Sequence, residues 1–288
     1  MIYFLVVNYQ SYSLVSQLIN SQPAGNRSRW VIVNNYPPEN KALQTIKTET
    51  IHLIEAGTNL GFGCACNLGL SWIYQQDSQA LVWLLNPDIM FDFQMVENAL
   101  NFIDNYPEIS ILGTVIYSTN NEIWFGGGTF NSIQGKITSE NLFSGHAKTS
   151  YVTCDWVSGC SMIINLNHFS ECPHFDPHYF LYYEDFDFCQ RYQRQGHLVA
   201  VTNEIAIVHQ VSTVTNRNLK NKFYHSSYSY LLTLEKYTNP MVFSLRLTRL
   251  LSYALILLPI KPAIALGKIT GTWHYFQQRL FGVTSCSH

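Results

Sequence analysis

Four short, almost wholly apolar runs, separated by segments of helical periodicity, fill the N-terminal third of the chain and constrain its fold more than any other feature. The runs are residues 2–9 (IYFLVVNY), 30–35 (WVIVNN), 51–56 (IHLIEA) and 80–85 (ALVWLL). A strand with one wet face alternates polar and apolar residues, so unbroken apolar runs of this length belong to strands buried on both faces. Between them lie YSLVSQLINSQ, ENKALQTIKTE and GCACNLGLSWIYQQ, each able to turn an apolar stripe toward a sheet. Strand and helix in alternation predict an α/β fold with a mainly parallel sheet, flanking helices and right-handed crossovers. In such sheets a ligand sits beyond the carboxyl ends of the strands. Those ends read Asn8-Tyr9, Asn34-Asn35, GTNLGFG (57–63) and Asn86-Pro87-Asp88, each polar or glycine-rich directly after an apolar run.

The 288 residues suit one large domain or a domain with an appendage, and the 47% apolar share is ample for a core. A net charge of −2 without a long basic run argues against a nucleic-acid partner. The cysteines (Cys64, Cys66, Cys154, Cys160, Cys172, Cys189, Cys286) form no CxxC pair, and the start MIYFLVVNYQ reads as a strand with no basic leader. Reduced thiols and a cytoplasmic protein, at the inner face of the membrane, are expected. Further strands are expected at 109–117 and 155–166, with a tight bend at 125–130. From residue 217 the pattern turns helical, giving a division into 1–216 and a C-terminal helical extension, 217–288. Its apolar run at 250–262 falls short of the roughly 20 residues a bilayer span needs. With Arg246, Arg249, Lys261 and Lys268 nearby, it either makes peripheral contact with a membrane surface or packs on the domain.

Carboxylates mark the remaining points of chemistry. Proline stops a strand from running on, so Asn86-Pro87-Asp88 presents an amide and an acid at a strand tip. Asp88 there either holds a hard divalent cation that grips a diphosphate or caps a helix starting near Asp92. The stretch at 174–197, HFDPHYFLYYEDFDFCQRYQRQGH, reads as a helix from Asp185 onward, with Arg191 and Arg194 near its end and Gly196 closing it. Acids in a first turn suit the helix dipole, which accounts for the sign of Glu184, Asp185 and Asp187. It does not account for Phe175, Tyr179, Phe180, Tyr182 and Tyr183 before them, a set suited to a wall that binds sugar or excludes water. His209 ends an apolar strand, as a core histidine or a metal ligand.

The order of these pieces resembles the family 2 glycosyltransferases, in particular their rhamnosyltransferase-like branch. The resemblance runs from Ile2 to about Ser212 and is carried by NLGFG with Asn67 and Gly69 following, by LLNPD, and by FDPHYFLYYEDFD. It implies a GT-A fold and an inverting, metal-dependent transfer of a sugar, with rhamnose the candidate, from a nucleotide-sugar donor to a saccharide or glycolipid acceptor in surface polysaccharide synthesis. It implies donor binding by Asn8, Tyr9, Asn34, Asn35, Asn59, Gly61, Phe62, Gly63, Asn67, Asn86, Pro87 and Asp88. Mg²⁺ or Mn²⁺ would be held by Asp88 and His209. Asp185 would be the catalytic base with Glu184 beside it, and Trp156, Tyr182 and Tyr183 would meet the acceptor. Two adjacent carboxylates resist simultaneous ionisation, so the Asp185 pKa is expected to rise. One departure is Asn34, where the family has an acid that accepts from the nucleobase; an amide oxygen accepts without charge assistance. That departure leaves open a catalytically silent nucleotide-sugar-binding or scaffold protein of the same fold.

Overall fold

The apolar runs become the parallel end of one ten-stranded sheet, with Ile51–Glu55 at its edge. A computed structural model describes residues 1–21, 27–92, 94–144, 149–210 and 218–281. Strands β1 (Ile2–Asn8), β2 (Ser28–Asn34), β3 (Ile51–Glu55) and β4 (Leu81–Leu85) lie parallel in the order β4-β1-β2-β3. Every residue of β1 and β4 is buried, as unbroken apolar strands require. Helix α1 (Tyr12–Ser21) turns Val15, Leu18 and Ile19 inward, and α3 (Phe62–Gln76) turns Ala65, Cys66, Leu70 and Ile73 inward. The crossover expected as a helix over 39–49 holds only a 3₁₀ turn at Pro37–Glu39 and the short α2 (Asn40–Gln44). Thr45 closes that helix by bonding back to the Ala42 carbonyl, and Thr48 bridges to Ile51, so the chain is already turning into β3.

Beyond β4 the sheet becomes mixed. In chain order follow β5 (Ile89–Met90), α4 (Gln94–Asn105), β6 (Ile109–Ser118), β7 (Ile123–Phe125), β8 (Gly128–Asn131), β9 (Lys136–Ser139), β10 (Tyr151–Thr153), β11 (Ser161–Asn165), α5 (Glu184–Arg194) and β12 (Leu198–His209). β11 enters between β4 and β6, antiparallel to both, and β12 lies parallel to β6 and antiparallel to β5 and β10. The strand expected over 155–166 is thus shortened to five residues. Asp155 and Trp156 pair instead with Gly128, at the start of the separate β8–β9 hairpin. Asp92, rather than Asp88, accepts the amide of Gln94 at the start of α4, at 2.9 Å.

Three helices complete the molecule: α6 (Leu219–Tyr237), α7 (Pro240–Leu257) and α8 (Pro262–Phe281). Their core of Tyr228, Leu231, Leu232 and Tyr275 also takes in Tyr179 from the loop before α5. The α6 and α8 backbones touch closely enough that a Cβ at Gly271 would collide with the Tyr224 carbonyl. The boundary expected at 216/217, together with Ser212 and Cys286, lies outside the described residues. The six described cysteines carry no disulfide.

Candidate active site

A cavity of about 1040 Å³ opens at the carboxyl ends of the parallel strands. Its wall takes Tyr9 from beyond β1, Asn35 from beyond β2, Asn59, Gly61 and Phe62 from the loop into α3, and Asn86 and Pro87 from the tip of β4. Asn35 sets the shape of that loop: its Nδ2 donates to Asn59 Oδ1 (3.0 Å) and Gly61 O (3.1 Å), while its Oδ1 accepts from Leu60 N (2.8 Å). Gly61 has φ +81°, and a Cβ there would strike the carbonyl oxygen of Phe180. That oxygen accepts from Phe62 N at 3.0 Å, so the glycine loop and the aromatic loop before α5 are joined through their backbones.

The aromatic loop carries unusual backbone geometry. Tyr182 and Tyr183 are consecutive left-handed residues, φ 70° and 66°. Each such non-glycine residue costs on the order of 1 kcal/mol or more and persists only where its surroundings hold it. Here Ser229 Oγ donates to Leu181 O (2.9 Å), Asp187 N donates to Tyr183 O (2.9 Å), and the Tyr183 ring tilts against Tyr230 at 5.7 Å. The turn aims Glu184 and Asp185 along one side of the cavity. Asp185 is pinned at both oxygens, Oδ2 accepting from Gly159 N (3.0 Å) and Oδ1 from its neighbour Phe186 N (2.8 Å). Burial pushes its pKa up, although those amides favour the charged form. Burial, and then the charge of Asp185, push Glu184 well above the ordinary carboxylate range. Its Oε2 is buried with no hydrogen-bond partner among the described residues. That environment favours the protonated form, in which Glu184 is a hydrogen-bond donor.

The third acid of that turn does something else. Asp187, fully buried, accepts from Arg191 Nε (2.7 Å), Lys236 Nζ (2.9 Å) and Tyr237 OH (2.8 Å), tying α5 to α6. Lys236 also pairs with Asp176. Phe175 and Tyr179 likewise leave the expected aromatic wall for the core, while Phe180, Tyr182 and Tyr183 line the cavity.

Asp88 and His209 meet behind the Asn86-Pro87 tip, because β5 pairs Ile89 with His209. Their Oδ1 and Nε2 are 3.2 Å apart, and Asp88 Oδ1 and His209 Nδ1 are buried with no hydrogen-bond partner among the described residues. A distance of 3.2 Å is an ion-pair separation, a little longer than the edge, about 3.0 Å, of an octahedral ion with bonds of about 2.1 Å. The described residues form no cluster of three or more His, Cys, Asp and Glu that could hold a metal. A cation held by this carboxylate and imidazole alone would draw its other ligands from water and phosphate oxygens. Burial, then the carboxylates of Asp88 and Asp185, push the pKa of the Cys160 thiol well up.

Of the residues expected at the site, Tyr9, Asn35, Asn59, Gly61, Phe62, Asn86, Pro87, Trp156, Tyr182, Tyr183, Glu184 and Asp185 line one cavity. Asn8, Asn34, Gly63, Asn67, Asp88 and His209 do not line it and stand behind the wall. Asn34 Oδ1 accepts from Asn8 Nδ2 (2.9 Å) and Tyr36 N (3.1 Å), and its Nδ2 donates to Asn40 and Glu55, so the amide is fully used inside the protein. Asn67 bonds both backbone groups of Phe175, and Gly63 makes room for the Phe175 side chain. Sequence reading missed the face of α6 that closes the cavity: Asn218, Asn221, Lys222 and His225. Their spacing of three, four and seven is one helical stripe, a signal present in the sequence. His225 stacks on Phe180 at 4.6 Å, and burial, then His274, lower its pKa to about 4.

No family model matches the chain. An N-acetylglucosaminyl-diphospho-decaprenol L-rhamnosyltransferase of Mycobacterium tuberculosis is 21% identical over 188 residues, covering 58% of this chain and 61% of the relative. The chain thus spans less than two thirds of that relative's length. A low-salt glycan biosynthesis hexosyltransferase, Agl10 of Haloferax volcanii, is 23% identical over 232 residues, covering 79% and 71%. Among solved structures, GalNAc-T7 with UDP, GalNAc and Mn²⁺ superposes with a TM-score of 0.59 at 13% identity, over 82% of this chain and 47% of the other. The mannosyltransferase PcManGT of Pyrobaculum calidifontis, with GDP-Man and Mn²⁺, gives 0.57 at 11%, over 96% and 87%. The mixed sheet and flanking helices are the GT-A fold of these neighbours, and the relatives are GT2-like glycosyltransferases.

Proposed function

We propose that this chain, GT-A in fold and GT2-like in sequence, is an inverting glycosyltransferase that moves a sugar from a nucleoside diphosphate donor to a hydroxyl of a glycan or glycolipid. The observation that carries the reading is the single cavity in which a half-buried carboxylate, Asp185, and a buried, unpartnered one, Glu184, share a wall with the Asn86-Pro87 tip. The Asp88–His209 pair lies directly behind that tip.

The chemistry assigns one task to each group. Asp185 takes the proton of the acceptor hydroxyl as its oxygen attacks the anomeric carbon; the Gly159 and Phe186 amides keep its carboxylate in one orientation for that step. Glu184, whose burial favours the protonated form, donates to a sugar oxygen, which supplies the partner its Oε2 lacks. Tyr182, Tyr183 and Trp156 wall off water and offer ring faces to the acceptor. Mg²⁺ or Mn²⁺ at Asp88 and His209 would neutralise charge on the departing diphosphate. With Asn34 and Asn35 both engaged internally, recognition of the nucleobase falls to Tyr9 and Asn59 on the wall. Rhamnose is the candidate sugar, from the rhamnosyltransferase relative.

A panel of nucleotide sugars, each with Mn²⁺, tests the reading. The true donor is expected to raise the melting temperature and, with acceptor present, to release its nucleoside diphosphate. Stabilisation without release under any acceptor would leave the silent, binding-only protein. Asp88→Ala is expected to weaken Mn²⁺ affinity at least about a hundredfold, since even residues that merely orient a ligand are worth roughly 10–100-fold. Titration calorimetry with Mn²⁺ and nucleoside diphosphate reads this directly. An unchanged isotherm would remove Asp88 from the metal site.

A further inference from the structure

Helices α7 and α8 expose several large apolar side chains to solvent. Leu255 and Ile256 are each 63% exposed and Ile260 is 67% exposed, all around the turn between the two helices, and Trp273 farther along α8 is 64% exposed. A contiguous exposed apolar patch marks an interaction surface. The charge around it is mostly basic: residues 240–281 hold Arg246, Arg249, Lys261, Lys268 and Arg279 and no acidic residue, Arg279 being paired with Glu235 of α6, in a chain whose net charge is −2. The rest of the protein is therefore net acidic, and the cations are gathered where the apolar surface is. Lys268 lies over the rings of Phe223 and Tyr253, beside the same face. Apolar anchors rimmed by basic groups are the signature of a segment lying in the interface of an anionic bilayer.

A second, smaller cavity of about 340 Å³ adjoins this face, lined by Ile133, Gln134, Val242, Leu245, Arg246 and Arg249. Arg246 Nε donates to Gln134 O at 2.7 Å, which fixes α7 to the turn of the β8–β9 hairpin, and Ile133 on that turn is 81% exposed. Two guanidinium groups in a groove with an apolar rim suit a phosphate headgroup whose acyl chains lie alongside. The stem of the same hairpin, through Ile137 and Ser139, lines the large cavity. The β8–β9 hairpin thus runs from the basic groove to the large cavity. α7 has the length and mean hydropathy of a membrane span, 18 residues at 1.3. Arg246 and Arg249 sit inside it, however, and it packs beside α6 and α8, so it lies along a surface rather than crossing one.

We propose that the α7–α8 face and the hairpin turn dock on an anionic lipid bilayer, with a lipid phosphate in the Arg246–Arg249 groove, and that the acceptor is accordingly lipid-borne. The last clause rests on the glycosyltransferase reading; the docking does not. The test is sedimentation of the full chain with vesicles of phosphatidylcholine alone and of an equal mixture with phosphatidylglycerol. Binding is expected to the mixed vesicles, to weaken with salt, and to be far weaker on phosphatidylcholine alone. Arg246→Gln with Arg249→Gln should lower the partition coefficient about fivefold per charge removed. Leu255→Ser with Ile256→Ser should lower it about a hundredfold, with transfer to a soluble acceptor unchanged. The proposal is overturned if neither vesicle binds, or if both bind alike. It is overturned equally if light scattering shows a dimer that Leu255→Ser with Ile256→Ser dissolves, for then a second copy covers the face. Because vesicle binding needs no turnover, its failure and the failure of the transferase reading are separately visible.

Discussion

Asp185→Asn is expected to cut transfer by roughly 10²–10⁴-fold, the range a positioned general base supplies, while nucleoside diphosphate binds as before. Asparagine has the same shape and its amide oxygen can still accept from Gly159, but its Nδ2 then faces the Phe186 amide, so circular dichroism checks that the turn is kept. What asparagine lacks is the capacity to hold the acceptor's proton. The pH profile gives a second readout of the same residue. Burial raises the Asp185 pKa, and the base works only when ionised, so activity should fall as pH drops through that raised value. The acid limb of kcat/KM in the native protein should then lie above the ordinary carboxylate range. It should be missing from the residual activity of the variant. Turnover of Asp185→Asn at the native rate, or an acid limb that persists in it, would remove Asp185 from the proton transfer. Calorimetric titration of the diphosphate separates this from a loss of binding.

Asp187→Ala is expected to be the most damaging change outside the chemistry. The substitution leaves Arg191, Lys236 and Tyr237 without the buried carboxylate they share. Breaking a buried ion cluster by removing one partner costs about 3–5 kcal/mol. For a chain of this size that is a fall in melting temperature of roughly ten degrees. A shift of less than about two degrees by circular dichroism would mean that the cluster does not hold α5 to α6. The acid arm of stability carries the same information. Burial raises the Asp176 pKa, but its bonds to Lys236 and His178 outweigh that and hold it at about 2. A folded-state pKa below the unfolded value stabilises at pH above about 4, and that stability is lost as pH falls toward 2.

Much of this architecture was written locally. β1 and β4 read as buried strands because each residue needs an apolar neighbour on both faces, a demand that shows in the chain as an unbroken run. α3 and α5 were legible from periodicity, and the crevice from the polar residues after each run. The expected helix at 39–49 shrank because the requirement to enter β3 overrode the propensity of the segment. The five-residue β11 was not legible either: nothing within 155–166 reveals that its first residues pair with a hairpin nearly thirty positions upstream, at Gly128.

By itself, then, the sequence determined the parallel half of the sheet, the position of its loops and the chemical types gathered there, since burial and periodicity are properties of neighbours along the chain. Only the tertiary structure decided which acids serve which end. Glu184, Asp185 and Asp187 are nearly identical in local setting, yet two line the cavity and the third meets Lys236, forty-nine positions away. Asn34 looks like a ligand in the sequence and is spent on Asn8, Tyr36, Asn40 and Glu55 in the fold. Partner choice of this kind is a long-range packing outcome, fixed by which surfaces meet once the sheet has closed, and no local pattern encodes it.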